Sequence, residues 1–142
     1  VISGIAGEQG GMLIGVDLKK DVEILEAAYN DSKDITTAFN KNMLVHLNRE
    51  IGSDFNPALF DHKAVWVEDE GKIEMRLIVN ESHSVIIGDQ NFDMVEGEYI
   101  HTENSHKYSL SEFEQIVAPW FKVVKVWTDE QQLFSLQYLE PA

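Results

Sequence analysis

Two hydrophobic periods alternate along the chain and divide it into stretches. Near the start, "MLIGVDL" (12–18) is a continuous apolar run closed by Asp17, the pattern of a buried parallel strand. Two helical stretches follow. Over 22–30, Val22, Leu25 and Ala28 or Tyr29 fall on one face, with Asp21 placed as the N-cap. Over 35–51, Ile35, Phe39, Met43, Leu47 and Ile51 recur every four residues, with Asp34 at the cap and Gly52 at the stop. "DFNPALF" reads as a turn into a short helical piece, with Pro57 near its start. From there the period drops to two. "KAVWV" (63–67) and "KIEMRLIV" (72–79) flank the turn "EDEG" and predict a hairpin. In its second strand Ile73, Met75, Leu77 and Val79 share one face, and Lys72, Glu74 and Arg76 share the other. "SVIIG" (84–88) and "YIHTENS" (99–105) continue the β region. "SLSEFEQIVAPWF" predicts a helix opened by a capping box from Ser111 to Glu114, with Phe113, Ile116 and Val117 inward and Pro119 at its end. "FKVVKVW" and "LFSLQYL" around "TDEQQ" predict a second hairpin, and the glycine-rich "SGIAGEQGG" (3–11) reads as a loop.

Composition narrows what such a chain can do. Its 142 residues are enough for one sizeable core, and 44% of them are hydrophobic, which argues for a folded chain. The formal net charge of −14 repels phosphate backbones and leaves no basic stripe, which argues against nucleic acid as a partner. No apolar run approaches the roughly 20 residues of a membrane helix. The first residues lack the basic start and apolar centre of a signal peptide. There are no cysteines, so disulfides, thiolate metal sites and a cysteine nucleophile are excluded. The expectation is a cytoplasmic protein with no membrane partner.

The densest chemistry lies in "EYIHTENSHKYS" (98–109). As a regular strand, "YIHTENS" puts Tyr99, His101, Glu103 and Ser105 on one face and Ile100, Thr102 and Asn104 on the other. That pattern suits either a polar pocket or a half-exposed edge strand. A metal site is poorly supported. His101-x-Glu103 resembles the start of an iron-binding triad, but no histidine follows His106 to complete it. A zinc deaminase would need cysteines. No nucleophile elbow, G-x-G-x-x-G or phosphate-binding loop appears.

Seven words occur in order: "GVDLKKD" (15–21), "AAYND" (27–31), "TAFNKNMLVHLNRE" (37–50), "DFNPALFDHKA" (54–64), "KIEMRL" (72–77), "GEYIHTENSHKYS" (97–109) and "VWTDE" (126–130). Together they resemble the C-terminal half of the histidine-specific S-adenosylmethionine-dependent methyltransferases, which convert L-histidine to hercynine, the first step toward ergothioneine. The resemblance covers nearly everything beyond residue 12. It implies an α/β fold, with an α+β substrate-binding domain beside part of a Rossmann-like methyltransferase sheet. Residues 1–18 would end the methyltransferase core, 19–107 would form the substrate-binding domain, and 108–142 would return to the core as a helix and hairpin. The cofactor S-adenosyl-L-methionine would be held mainly by a part of the family fold that lies upstream of this segment. The chain by itself is then expected to be inactive and, with open sheet edges, able to self-associate.

Carried over residue by residue, the resemblance assigns Tyr29 to the substrate carboxylate, Met75 to packing beside the imidazole, and Glu103 and Ser105 to the two ring nitrogens. No residue is assigned as catalytic, as cofactor-binding or as a metal ligand. Chemistry agrees with the ring assignment. An imidazole offers a donor and an acceptor, or two donors when charged, which a carboxylate and a hydroxyl can satisfy. Methyl transfer to an amine asks for positioning and a deprotonated nitrogen more than for a nucleophilic side chain. By position alone, Tyr29 and Met75 also suit a core. The sequence departs from the family at Asp34, where relatives often carry glycine, and at His106. Two other readings stand beside this one: a non-catalytic amino-acid or small-molecule binding module, and a methyltransferase acting on another amine such as a tryptophan derivative.

Overall fold

The computed structural model describes Gly7 and residues 10–142, so most of the loop expected over 3–11 lies outside the described residues. The fold mixes helices and strands, as the expected class requires: β1 (Met12–Asp17), α1 (Val22–Tyr29), α2 (Ile35–Ile51), β2 (Phe60–Val67), β3 (Lys72–Val79), β4 (His83–Ile87), β5 (Gln90–Met94), β6 (Tyr99–His106), α3 (Leu110–Val117), β7 (Phe121–Thr128) and β8 (Phe134–Pro141). The chain divides into two compact units. One comprises the segments through Asp21 and from His106 onward, and the other is Val22–Ser105.

In the first unit a three-stranded sheet runs in the order β1-β8-β7. The apolar run "MLIGVDL" was expected to form a buried parallel strand, and the structure corrects this. β1 pairs antiparallel with β8, Met12 opposite Leu139 and Val16 opposite Ser135. Only one of its faces is covered: Val16 is buried, whereas Leu13 is 60% exposed. Val16, Phe113, Phe121 and Leu139 form the core. The run is apolar on both faces, so its composition could not distinguish a half-covered strand from a fully covered one. Gly15 belongs where it is, because a Cβ there would meet the Phe134 ring. The capping box on α3 lies two residues earlier than expected. Ser109 Oγ accepts from Glu112 N (3.2 Å), and Ser109 N donates to Glu112 Oε2 (2.7 Å). Both S-x-x-E pairs satisfy the sequence rule. The earlier one also brings Glu112 against the Lys19 ammonium, and that pairing, followed by the bonds from Ser109, lowers its carboxyl pKa to about 2. Phe113 faces inward as expected, but Ile116 is exposed.

The second unit packs α1 and α2 on a sheet of order β2-β3-β6, with a separate β4-β5 hairpin. β2 and β3 pair antiparallel around the short turn Glu68–Glu70, as the period-two pattern predicted. Phe60, His62, Ala64 and Trp66 sit opposite Val79, Leu77, Met75 and Ile73. Leu44 of α2 covers Phe60, Leu77 and Val79; Leu25 of α1 covers Ala64 and Ile73, with Tyr29 beside them. On the opposite face Lys72, Glu74 and Arg76 form an ion-pair row. β5, "QNFDM", was not anticipated, because its apolar alternation is limited to Phe92 and Met94.

The helix faces differ from expectation. On α1, Leu25 and Tyr29 turn inward, but Val22 and Ala28 are exposed. On α2 only the middle of the four-residue stripe faces inward, where Met43 and Leu47 pack against the core. Asn40 and Leu44 are buried, whereas Ile35 and Ile51 are exposed and Phe39 is 64% exposed. At 3.6 residues per turn, each step of four drifts by about 40°, so the series from Ile35 to Ile51 winds about 160° around the helix. The cap differs too. Asp34 adopts a left-handed conformation (φ 55°) and makes no side-chain cap, which accounts for the suitability of glycine at this position. Asp31 caps instead, with Oδ1 accepting from Thr36 N (2.8 Å) and Oδ2 from Ile35 N (3.1 Å). These bonds, the one from Thr36 first, lower its pKa to about 2. Gly52 closes the helix at φ 68°, as expected.

Candidate functional site

The site residues expected from the sequence all lie in the unit Val22–Ser105. Tyr29 is the last residue of α1 and Ser105 lies near the end of β6. Their hydroxyls are 2.7 Å apart, although 76 positions separate them in the chain. Met75 is buried on β3, opposite Ala64, and its carbonyl accepts a hydrogen bond from Thr102 Oγ1 (2.9 Å). Through that bond the methionine strand is tied to the strand that carries Glu103 and Ser105.

Glu103 lines a cavity of about 260 Å³ together with Thr102 of β6 and with Phe39, Asn40, Asn42, Met43 and His46 of α2. It is exposed, and among the described residues no hydrogen bond or ion pair engages its carboxylate. The apolar neighbours implied by its strand position do not enclose it. Its acceptor capacity therefore faces the cavity. Phe39, part of the expected core stripe, lies instead on the cavity wall.

The expected grouping of Tyr99, His101, Glu103 and Ser105 on one strand face does not hold. Tyr99 lies under the Arg76 guanidinium (4.5 Å to the ring centre), on the ion-pair face. His101 stays on that face, hydrogen-bonded to Asn104 Oδ1 (2.8 Å). It adds a favourable charge to Glu74, whose carboxyl is held below the usual range first by Arg76 and then by Lys72. Ile100, in contrast, packs into the core under α2, and Ser105 reaches Tyr29 on the helix side. Residues 100 and 105 share a side while differing by an odd number. The alternation of β6 therefore slips by one between them, as at a bulge. The slip separates Tyr99 and His101 from Ser105 and leaves two chemically different faces.

Sequence reasoning missed two side chains beneath this site. His62 of β2 places Nε2 2.8 Å from the Tyr29 carbonyl and Nδ1 2.9 Å from Asn40 Nδ2. Asn40, only 3% exposed, also donates to the Arg76 carbonyl (3.3 Å). The signal was present: Asn40 lies four residues before Leu44, on the arc that a 3.6-residue period buries. Asn30 adds a further anchor, pairing with both the N–H and the carbonyl of Ala64 (2.8 and 3.0 Å). Among the described residues, no three His, Asp or Glu side chains come together as a metal site, and no helix is long and apolar enough to cross a membrane.

An α+β unit in which Glu103 opens on a cavity, while Tyr29 and Ser105, outside that cavity's lining, bond each other, suits a small-molecule site rather than a nucleophile-centred one. A model of the family "Histidine-specific methyltransferase, SAM-dependent" matches residues 2–141, and the chain belongs to that family. It is 35% identical over 128 residues to the histidine N-alpha-methyltransferase of Mycolicibacterium smegmatis, covering 88% of this chain and 40% of that protein. It is 34% identical over 138 residues to the histidine N-alpha-methyltransferase of Mycobacterium tuberculosis, covering 95% and 43%. It is 32% identical over 107 residues to ergothioneine biosynthesis protein 1 of Schizosaccharomyces pombe, covering 75% and 14%. The chain thus spans about two fifths of the two mycobacterial relatives.

Proposed function

We propose that the full-length gene product transfers methyl groups from S-adenosyl-L-methionine to the α-amine of L-histidine, and that the unit Val22–Ser105 carries the part that reads the substrate. The observation that carries this reading is the 2.7 Å bond between Tyr29 and Ser105. Two residues from separate motifs, assigned to opposite ends of one amino acid, stand within hydrogen-bond reach of each other.

Glu103 accepts an imidazole N–H. Ser105 serves the other ring nitrogen as donor or acceptor, according to the charge on the ring. With a charged ring, Ser105 accepts from the ring and donates to Tyr29, and Tyr29 donates to the substrate carboxylate. Met75 supplies an apolar wall. An indole offers one N–H but no second ring nitrogen, so it would leave Ser105 without its ring partner and present a larger ring. When bound, S-adenosyl-L-methionine supplies an electrophilic methyl group. The described residues include no glycine-rich strand-to-helix loop, so no residue of this chain is assigned to the cofactor. The chain's contribution is to hold the amino acid in one orientation.

The test is to incubate the full-length gene product with S-adenosyl-L-methionine and a panel of amino acids, reading products by mass. Histidine gaining up to three methyl groups is the expected result. A methylated tryptophan-type amine instead moves the substrate within the family, and the absence of any methylated product leaves a non-catalytic binding module.

A further inference from the structure

Beneath Tyr29 a chain of polar groups crosses four elements. It begins at the Arg76 carbonyl on β3, passes through the Asn40 amide on α2 to the His62 ring on β2, and ends at the carbonyl of Tyr29, the last residue of α1. The donor and acceptor at each link follow from chemistry. A carbonyl only accepts, so His62 Nε2 carries a hydrogen and donates to Tyr29. The Arg76 carbonyl likewise requires the amide NH2 of Asn40 to face it, and the same NH2 faces His62 Nδ1. Nδ1 must therefore be an unprotonated acceptor. The ring is held neutral in its Nε2–H tautomer, with both nitrogens engaged.

The position of this chain is what gives it a role. The last carbonyls of a helix lack intrahelical partners and are free to shift unless something holds them. His62 satisfies the carbonyl of the residue whose hydroxyl meets Ser105. On the next residue, Asn30 is clamped to both polar groups of the Ala64 backbone, opposite Met75. The geometry assigns to the Asn40–His62 pair the role of positioning Tyr29: a half-buried, tautomer-locked imidazole that sets the end of α1 and hence the Tyr29 hydroxyl at the substrate carboxylate. This rests on the reading of Tyr29 as a substrate contact.

The test uses the full-length gene product in two measurements. The first assigns the hydrogen on each ring nitrogen of His62 by long-range proton–nitrogen NMR correlation. Nε2 protonated and Nδ1 bare is expected; a charged ring or the opposite tautomer overturns the locked chain. The second compares His62→Phe and His62→Gln. His62→Phe keeps a planar aromatic ring but loses the donor. It should raise the KM for histidine by about tenfold, the order that one lost hydrogen bond gives, with the KM for S-adenosyl-L-methionine unchanged. His62→Gln, whose amide can still donate to the Tyr29 carbonyl, should recover most of that loss. If both variants lose melting temperature equally while the histidine KM stays at the wild-type value, His62 is only structural and the positioning role is wrong. If the wild-type protein methylates no histidine at all, the reading of the function fails first. The two failures are therefore distinct.

Discussion

At the scale of single residues, the site is defined by what each polar group already has for a partner. Tyr29 and Ser105 are joined to each other, and both ring nitrogens of His62 and the amide nitrogen of Asn40 are engaged. Glu103 alone among the expected contacts presents an unengaged carboxylate to a cavity. Charge-assisted hydrogen bonds are worth about 1.5–3 kcal/mol, so Glu103→Ala should raise the histidine KM by roughly 10- to 100-fold. Because the side chain is exposed and supports nothing in the unit, melting temperature and the KM for S-adenosyl-L-methionine should stay at their wild-type values. Parallel loss of both affinities would make Glu103 a structural residue. Tyr29, Met75, Glu103 and Ser105 are proposed as a set only through the family words around them. Spacing alone placed Met75 on an apolar strand face, where it is indeed buried.

At the scale of elements, caps and strand regularity decided what side-chain periodicity could not. The sequence placed α2 correctly from Ile35 to Ile51, yet chose Asp34 over Asp31 as its cap. Both are aspartates before the helix, and only the left-handed backbone at Asp34 decides between them. This choice has a pH consequence. The Asp31 pKa is lowered from 3.8 to about 2 in the fold, so its ionised form is the favoured one. Its stabilisation is complete above the unfolded value, declines as pH falls below it, and is lost on passing through about 2. Asp31→Asn keeps a capping oxygen without the charge. The stability difference between wild type and this variant should therefore shrink as the pH of denaturant titrations is taken from 5 down through that window. A difference that stays constant with pH would mean that the charge on Asp31 is not what the helix uses. The strand β6 makes the same point differently. A slip of one residue between Ile100 and Ser105 is invisible to period-two reasoning, yet it removes Tyr99 and His101 from the site.

At the scale of the whole molecule, two units have separate cores, one around Leu139 and the other around Leu44. Truncating a buried leucine costs about 2–5 kcal/mol through lost burial and the cavity left behind. Leu44→Ala should thus speed amide hydrogen exchange across residues 22–105 before the strands β7 and β8 respond. Uniform acceleration along the whole chain would show that the two units unfold as one. What the sequence by itself determined was the succession of elements apart from β5, the β2-β3 hairpin with its buried face, and the family. Those follow from local periodicity, turn chemistry and words of fixed order. The tertiary structure alone decided that β1 runs antiparallel with one face open, that α2 turns Asn40 rather than Phe39 inward, and that β6 slips. It also decided that Tyr29 meets Ser105 above a locked His62. Each of these depends on which surfaces and hydrogen-bonding partners the rest of the chain brings alongside, and segments far apart in sequence carry no local record of that.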